Sequence, residues 1–427
     1  SNVANYSYHS IKFVIFVSMS QVHKISFLIT LVLLFLLPVF FTPGGALSLD
    51  VAKSALLVFG TVVATGVFLW EVWRGEKLDI PWHPFVLVVV LLPLVYLVSA
   101  LSTTPSSLSL FGYSFEVGTF GHMLLGSVLL ILVGTVFTNT SRTLRALAAF
   151  FLSFSLIAVF AAIKILSHAW AGGGDFFVWG TFFGNMGNPL GSWTDLAISF
   201  GLLSAFTVLI IGMVPMKWPA RALVYGILIL STALSAIIHF STALVLTLAT
   251  SVLLLLYFST VEKSFSTARS KPVFLSIALG VVSLTFLINP AIPGTEGTLG
   301  DAVARTFKIE NTDVRPSFSA TLGVSKAVLS SQIALLGSGP NTFGHDWLIY
   351  KPADVNATPF WAVTFPFGIG FIPTQIASTG ILGTVLWLAF FVLLILLGVK
   401  IFSRMPESRV LRFGLVATFL LTFFLWI

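Results

Sequence analysis

Eleven apolar stretches follow one another along the chain, each near the length that a helix needs to cross a bilayer. This repetition fixes the fold class before any motif is considered. About 20 helical residues cover roughly 30 Å of hydrocarbon. Runs near 25–41, 55–73, 84–101, 117–138, 146–166, 190–213, 221–238, 241–259, 273–289, 376–399 and 411–427 meet or approach that length. The spacing predicts an all-α, polytopic transmembrane bundle. Of its 427 residues, 57% are hydrophobic and only 9% are charged, against about a quarter charged in soluble domains. Such a chain cannot clothe itself in polar surface in water, so an integral membrane protein is expected. There is no cysteine, which excludes disulfides, thiolate metal sites and cysteine nucleophiles.

The basic residues alternate with the spans. Lys12 and Lys24 precede the first. Arg74 and Lys77, Arg142 and Arg145, Lys217 and Arg221, Lys263, Arg269 and Lys271, and the group Lys400, Arg404, Arg409 and Arg412 fill every second loop thereafter. The intervening short loops hold only Lys53. The positive-inside rule then predicts a cytoplasmic N-terminus and an odd number of spans. It also accounts for the formal charge of +7 without a nucleic-acid partner. Residues 1–24 are read as a cytoplasmic segment, 25–289 as nine spans, 290–375 as one large extracytoplasmic loop and 376–427 as two further spans. The first eighteen residues lack a signal-peptide layout, and Met19 begins a more usual opening. The chain stops inside its last run, at TFFLWI, and reads as a piece of a longer protein.

A loop of this length is uncommon unless functional or disordered. This one carries Trp347, Tyr350, Trp361 and many phenylalanines, a composition unlike that of disordered segments. Phe318, Leu322, Leu329 and Ile333 recur at roughly helical spacing, with Ser319, Ser325, Lys326 and Ser330 between them. They predict an amphipathic helix over 316–336 lying in the membrane interface, with Pro316 in its first turn. Gly337, Gly339 and Pro340 of GSGP then stop it and turn the chain.

Four basic groups, Arg305, Lys308, Arg315 and Lys326, lie near the start of that helix. Singly, each reads equally well as solvated or as touching lipid headgroups. Together, guanidinium forks and a helix N-terminus suit a diphosphate. His345 beside Asp346 could take a proton from an acceptor hydroxyl, or be two surface residues. Glu310 and Asp313 could do the same work. Among charges near the spans, Glu116, Asp195 and His239 all fall toward the extracytoplasmic side, and Lys164 reads as a snorkelling anchor. No polar path through the full thickness is visible, and broken helices with midplane polar groups, which a transporter needs, are scarce.

Three segments carry a resemblance. FVWGTFFGNMGNPLGSWTDLAISFGLLSA is similar to the Gly-rich, Asn-Pro start of a central span in the O-antigen ligase and polymerase family. VRPSFSATLGVSKAVLSSQIALLGSGPNTF resembles that family's large-loop pattern of an arginine, an amphipathic helix, Gly-x-Gly-Pro and Phe. STGILGTVLWLAFF resembles the start of its next span. The resemblance implies a GT-C-like membrane glycosyltransferase of a bacterial inner membrane, working in polysaccharide biosynthesis at the cell envelope. It would move a glycan from an undecaprenyl-diphosphate carrier to a lipid, glycan or protein acceptor, with no metal and no cofactor. It makes Arg315 the loop arginine that holds the diphosphate, with Arg305 or Lys308 beside it, and a loop histidine the helper of acceptor attack. The chain departs from the pattern twice. Thr242, in FSTALVL, stands where the family has an arginine, and FPFGIGFIPTQ lacks the family's histidine. His345 and Arg305 are the residues present to substitute. A transporter, or a non-catalytic relative in envelope assembly, are the alternative readings.

Overall fold

The protein is seen here as a computed structural model that describes residues 23–43, 47–76, 83–113, 115–170, 187–262, 271–294, 297–309 and 314–426. Every regular element among them is helical. The elements are α1 (Lys24–Val39), α2 (Leu49–Trp73), α3 (Pro84–Leu101), α4 (Ser106–Leu110), α5 (Phe120–Val136), α6 (Thr140–Trp170), α7 (Trp193–Met213), α8 (Trp218–Ile238), α9 (Ser241–Leu256), α10 (Lys271–Ile288), α11 (Leu299–Phe307), α12 (Phe318–Leu329), α13 (Phe343–Tyr350), α14 (Phe371–Ser403) and α15 (Arg409–Trp426). Each of the eleven apolar runs holds one long helix. Nine of these, among the described residues, are long and apolar enough to cross a membrane by length and composition, α9 being continued by a π-helical turn to Val261; α1 and α5 are shorter. The fold is thus a multi-pass helical bundle, in which α2, α6 and α14 begin several residues before the apolar runs that mark them.

The centre of the bundle is α7. Nearly all of its residues are buried, because α6, α8, α9, α10 and α15 pack around it. Phe206, Leu209, Tyr257, Phe258, Phe413 and Phe424 fill the core at one end of α7. Trp193, Leu196 and Phe200 fill the other with Ile157, Ile165 and Ile309. A helix apolar on all sides is a core helix, and α7 has no face left for lipid. A second unit joins α3, α5 and α14 through Val88, Leu92, Tyr96 and Phe390.

Helix ends in such a bundle must find hydrogen-bond partners of their own. Ser48, Thr119, Ser192 and Ser317 each accept a backbone N–H from the first turn of α2, α5, α7 and α12. Thr298 and Asp301 form a reciprocal capping box on α11. The loop between α10 and α14 folds back on the bundle: α11 packs on α8 and α6, and α12 and α13 pack on α14.

The predicted interfacial helix is shorter than the spacing suggested. It runs from Phe318 to Leu329, and the chain from Ser330 to Leu336 forms turns. Its buried side consists of Ala320, Thr321, Val324, Ser325 and Val328, while Phe318, Leu322 and Leu329 remain exposed. Small residues face the protein here because α14 comes close, and Ser325 donates its hydroxyl to the Pro373 carbonyl at 2.7 Å.

Candidate functional site

The chain enters α7 through an Asn-Pro-Leu-Gly turn. Asn188 Oδ1 accepts the N–H groups of Leu190 at 2.9 Å and Gly191 at 3.1 Å, and Gly191 takes a φ of 109°. Ser192 then caps the helix by accepting the Asp195 N–H at 3.0 Å. The loop arginine arrives at this point. Arg315 Nη2 donates to Ser192 Oγ at 3.2 Å and to Thr194 Oγ1. Its backbone is held next door, where Pro316 is buried and Ser317 caps α12. A guanidinium at a helix N-terminus adds to the positive end of the helix dipole instead of opposing it. The two together place positive charge where an anion could bind, alongside the Asp195 carboxylate in the first turn of α7.

Lys164 serves the same region differently from its expected role as a snorkelling anchor. It is 5% exposed, and its ammonium donates to the Gly187 carbonyl at 2.7 Å, so it ties the entry turn of α7 to α6. Asp195 lies within electrostatic reach of Lys53 on α2.

Arg305 and Lys308 both lie on or just after α11 and are exposed. Arg305 Nε donates to the Asp301 carbonyl at 3.3 Å. The Asp301 carboxyl sits below the usual carboxylate range, because the Thr298 N–H and hydroxyl both donate to it. Lys308 ends α11 in the left-handed region, with φ 54°. The next residue, Ile309, is buried in the cluster that contains Trp193, which brings Lys308 to the neighbourhood of the α7 entry. His239 acts in the scaffold: its Nε2 pairs with the Phe286 carbonyl at 2.7 Å, and its ring closes on Gly300 of α11.

His345 and Asp346 are placed elsewhere, on α13, and they part company there. His345 is exposed, and its N–H donates to the Thr342 carbonyl at 2.8 Å. Asp346 is 3% exposed and accepts the Ser338 hydroxyl. Burial pushes the Asp346 carboxyl up to about 6, against smaller opposing effects of the Ser338 hydroxyl and the nearby His345. Arg315 at α7 and the α13 pair hydrogen-bond to different partners. Glu310 and Asp313 lie outside the described residues, as does the whole FVWGTFFGNM segment.

The GSGP segment does not end a helix. It crosses α14 where that helix is broken, at Gly380, with φ 61° and ψ −157°. Ser338 and Gly339 N–H donate to the Ala377 and Ser378 carbonyls at 3.0 and 2.9 Å. Ile381 and Leu382 N–H donate to the Ala334 and Leu335 carbonyls at 3.0 and 3.2 Å. In an unbroken helix, Ile381 and Leu382 would donate to Ala377 and Ser378 themselves. Each orphaned group therefore has a partner from the crossing strand. Gly337 (φ 75°) and Gly380 allow the approach, since a Cβ on either would lie 2.4–2.5 Å from backbone atoms of the other segment. Ser99 of α3 donates to the Leu336 carbonyl at 2.6 Å. Tyr96 donates to Gln375 Oε1 at 2.6 Å and accepts the Trp387 indole N–H at 3.1 Å. Outside the crossing, Asn341 donates to Glu116 Oε2 at 2.6 Å.

A charged cluster lies at the opposite ends of the helices, where the sequence placed Arg142 among the loop basic residues but singled out none of His23, Glu71 and Glu76. Glu71, in the last turn of α2, is 5% exposed. It accepts the Ile25 and Ser26 N–H groups at 3.0 and 3.4 Å and the Ser26 hydroxyl at 2.6 Å. Glu76 accepts the His23 N–H and lies 3.1 Å from His23 Nδ1. Arg142, 3% exposed, donates to the Val136 carbonyl at 2.7 Å and lies over the Phe27 ring. Donor atoms of His23, Glu71 and Glu76 lie within 4.8 Å of one another, a set that could hold a metal ion. Both glutamates already accept N–H groups at the start of α1, the buried Glu71 from Ile25 and Ser26 and the half-buried Glu76 from His23. The signal available in the sequence was a glutamate, Glu71, only five residues before a second, Glu76, at the end of an apolar run.

No protein-family model matches the chain, and none of the curated proteins compared is significantly similar to it.

Proposed function

We propose that this protein is a membrane glycosyltransferase of the O-antigen ligase and polymerase type. In this reading it transfers a glycan from an undecaprenyl-diphosphate carrier to an acceptor hydroxyl on the extracytoplasmic side. The observation that carries the proposal is Arg315 meeting the N-terminal end of α7 through Ser192 and Thr194. The carrier diphosphate would dock there, against the guanidinium and the helix dipole, with Lys308 close by. The bond from the sugar anomeric carbon to the diphosphate oxygen breaks as the acceptor oxygen bonds to that carbon. Charge gathers on the departing diphosphate, where positive groups lower the barrier. The acceptor proton passes to a basic side chain of the loop; His345, exposed on α13, is the candidate read from the sequence, and Asp346 bonds Ser338 within the same segment. Arg305 keeps a secondary place in this scheme, since its guanidinium already bonds within α11. In this orientation the N-terminus and the loops bearing Arg74, Arg142, Arg221 and Arg412 face the cytoplasm.

One feature favours a transporter instead: α14 is broken, as transporter helices often are. The break is filled by the 334–339 backbone, so the carbonyls that would otherwise coordinate a solute are occupied. Glycan transfer is the stronger reading. The test is transfer of an undecaprenyl-diphosphate-linked glycan by the purified protein across lipid, peptide and glycan acceptors, with Arg315→Ala alongside. Transfer that disappears in a folded Arg315→Ala supports the proposal. Tight donor binding without transfer by the wild type would move the reading to a non-catalytic envelope subunit. Neither binding nor transfer would reopen transport.

A further inference from the structure

The crossing at Gly380 fixes the depth of the loop in the membrane. Counting about 20 residues back from Lys400, the distance a helix needs to cross the hydrocarbon, reaches Gly380. The break therefore lies at the loop-side edge of the apolar layer. Ala334 and Leu335, bonded to Ile381 and Leu382, must lie at that same depth. Leu335, Ile381 and Leu382 are all exposed, at 56%, 47% and 40%, so α14 and the loop segment bonded to it both present apolar side chains at the crossing.

The helix α12 that leads into this crossing has three distinct sides. On a helix of 3.6 residues per turn, Phe318, Leu322 and Leu329 fall within about 40° of one another. Ala320, Thr321, Val324, Ser325 and Val328 occupy a separate arc, buried against α13 and α14. Beyond the bulky stripe on its other flank come Lys326, Ser319 and Gly323, all exposed. The bulky stripe thus lies between a protein-facing side and a polar side. Neither water nor the protein is a suitable medium for it.

We infer that the exposed stripe Phe318, Leu322 and Leu329, continued by Ile333 and Leu335, is a lipid-binding surface seated in the headgroup–acyl boundary of the bilayer leaflet on the loop side. The occupant is the leaflet itself. Lys326 lies at the level of the lipid phosphates, where its stem follows the apolar stripe and its ammonium reaches the headgroups. The loop is then a leaflet-embedded element and not a domain standing in water. This inference goes beyond the transfer reaction and stands without it.

Because the chain contains no cysteine, single cysteines can be placed in the otherwise native protein. Nitroxide labels at Leu322→Cys, Leu329→Cys, Ser319→Cys and, as a hydrocarbon reference on α14, Val392→Cys would be read in vesicles of phosphatidylethanolamine and phosphatidylglycerol. All four side chains are exposed, so the substitutions leave the packing intact. The expected result is collision with oxygen exceeding collision with a nickel chelate at Leu322 and Leu329, as at Val392, and the reverse at Ser319, with the ratio differing severalfold. Nickel-favoured collisions at Leu322 and Leu329 would overturn the inference by placing the stripe in water. Immobilised spectra at those two sites would overturn it as well, because a protein partner would then cover them.

Discussion

The Ile381 N–H donates to the carbonyl oxygen of Ala334 at 3.0 Å, so α14 is completed by an atom that lies 47 positions earlier in the chain. The helix and the loop strand are one hydrogen-bonded unit, and the glycines that permit it are the most sensitive positions in the fold. Gly380→Ala forces a Cβ to within 2.4 Å of the Gly337 nitrogen and 2.5 Å of the Ala334 oxygen, in a conformation that L residues rarely adopt. It is expected to cost at least about 2 kcal/mol. Gly323→Ala, at an exposed helical position where a Cβ meets nothing, should stabilise by about 0.5–1 kcal/mol. Thermal unfolding in detergent, followed by tryptophan fluorescence, would show the two variants moving in opposite directions. A neutral Gly380→Ala would mean the crossing does not hold α14 together.

Asp346 gives the loop a pH dependence. Its carboxyl is raised from 3.8 to about 6 in the folded protein, so between those values the folded state holds the proton more tightly than the unfolded state. The stability it contributes is complete below about pH 4 and is lost as pH rises through 6. From pH 5 to pH 7 the wild type should lose about 1 kcal/mol more than Asp346→Asn, which mimics the protonated acid. Parallel pH profiles for the two proteins would rule out this coupling.

Tyr96→Phe removes a hydroxyl that serves both Gln375 and Trp387 in a buried setting. Two polar groups lose their partner, at an expected cost of about 1–3 kcal/mol. Trp387 emission should shift as its indole N–H is released. An unchanged melting temperature would show that Gln375 and Trp387 find other partners.

Glu71→Ala at the far end of the bundle should destabilise by about 1–3 kcal/mol, because the Ile25 and Ser26 N–H groups lose their acceptor. Glu71→Gln keeps an acceptor and should recover part of that loss. Equal effects of the two substitutions would show that charge pairing with the His23 and Arg142 neighbourhood dominates over capping.

Arg315→Ala should separate function from scaffold. The residue is exposed, and its loss should change stability by no more than about 0.5 kcal/mol while abolishing transfer. Arg315→Lys should retain only part of the activity, since an ammonium lacks the planar fork. A large loss of stability in Arg315→Ala would recast the residue as a structural clamp on α7.

The spans were legible because hydropathy over twenty residues is a summed signal that no single neighbour can reverse. The helix within the loop was legible in kind but not in its length or its packed side. Phe318, Leu322 and Leu329 marked an interfacial helix and are exposed, whereas the small residues that pack against α13 and α14, Ala320, Val324 and Ser325, carried no hydropathy signal of their own. The GSGP motif was read as local punctuation, the usual meaning of glycine and proline. Its partner is Gly380, and nothing local to either glycine reveals the other. Glu71 was passed over because its acceptor role depends on the first turn of α1, 45 residues away. Arg315 was found by resemblance to a family pattern, and its contact with Ser192 and Thr194 depends on a fold that pattern does not describe.

The shared hydrogen bonds of α14 also bear on how the protein is made. The strand that completes the helix, residues 334–339, leaves the ribosome before α14 does. When α14 enters the bilayer, the Ile381 and Leu382 amides need acceptors that hydrocarbon cannot supply. The preceding segment must therefore already be waiting at the membrane surface, or be drawn in as the helix arrives. Biogenesis of this span is then not the independent insertion of a hydrophobic rod. It is a templated step, in which an earlier stretch of chain licenses a later one to enter.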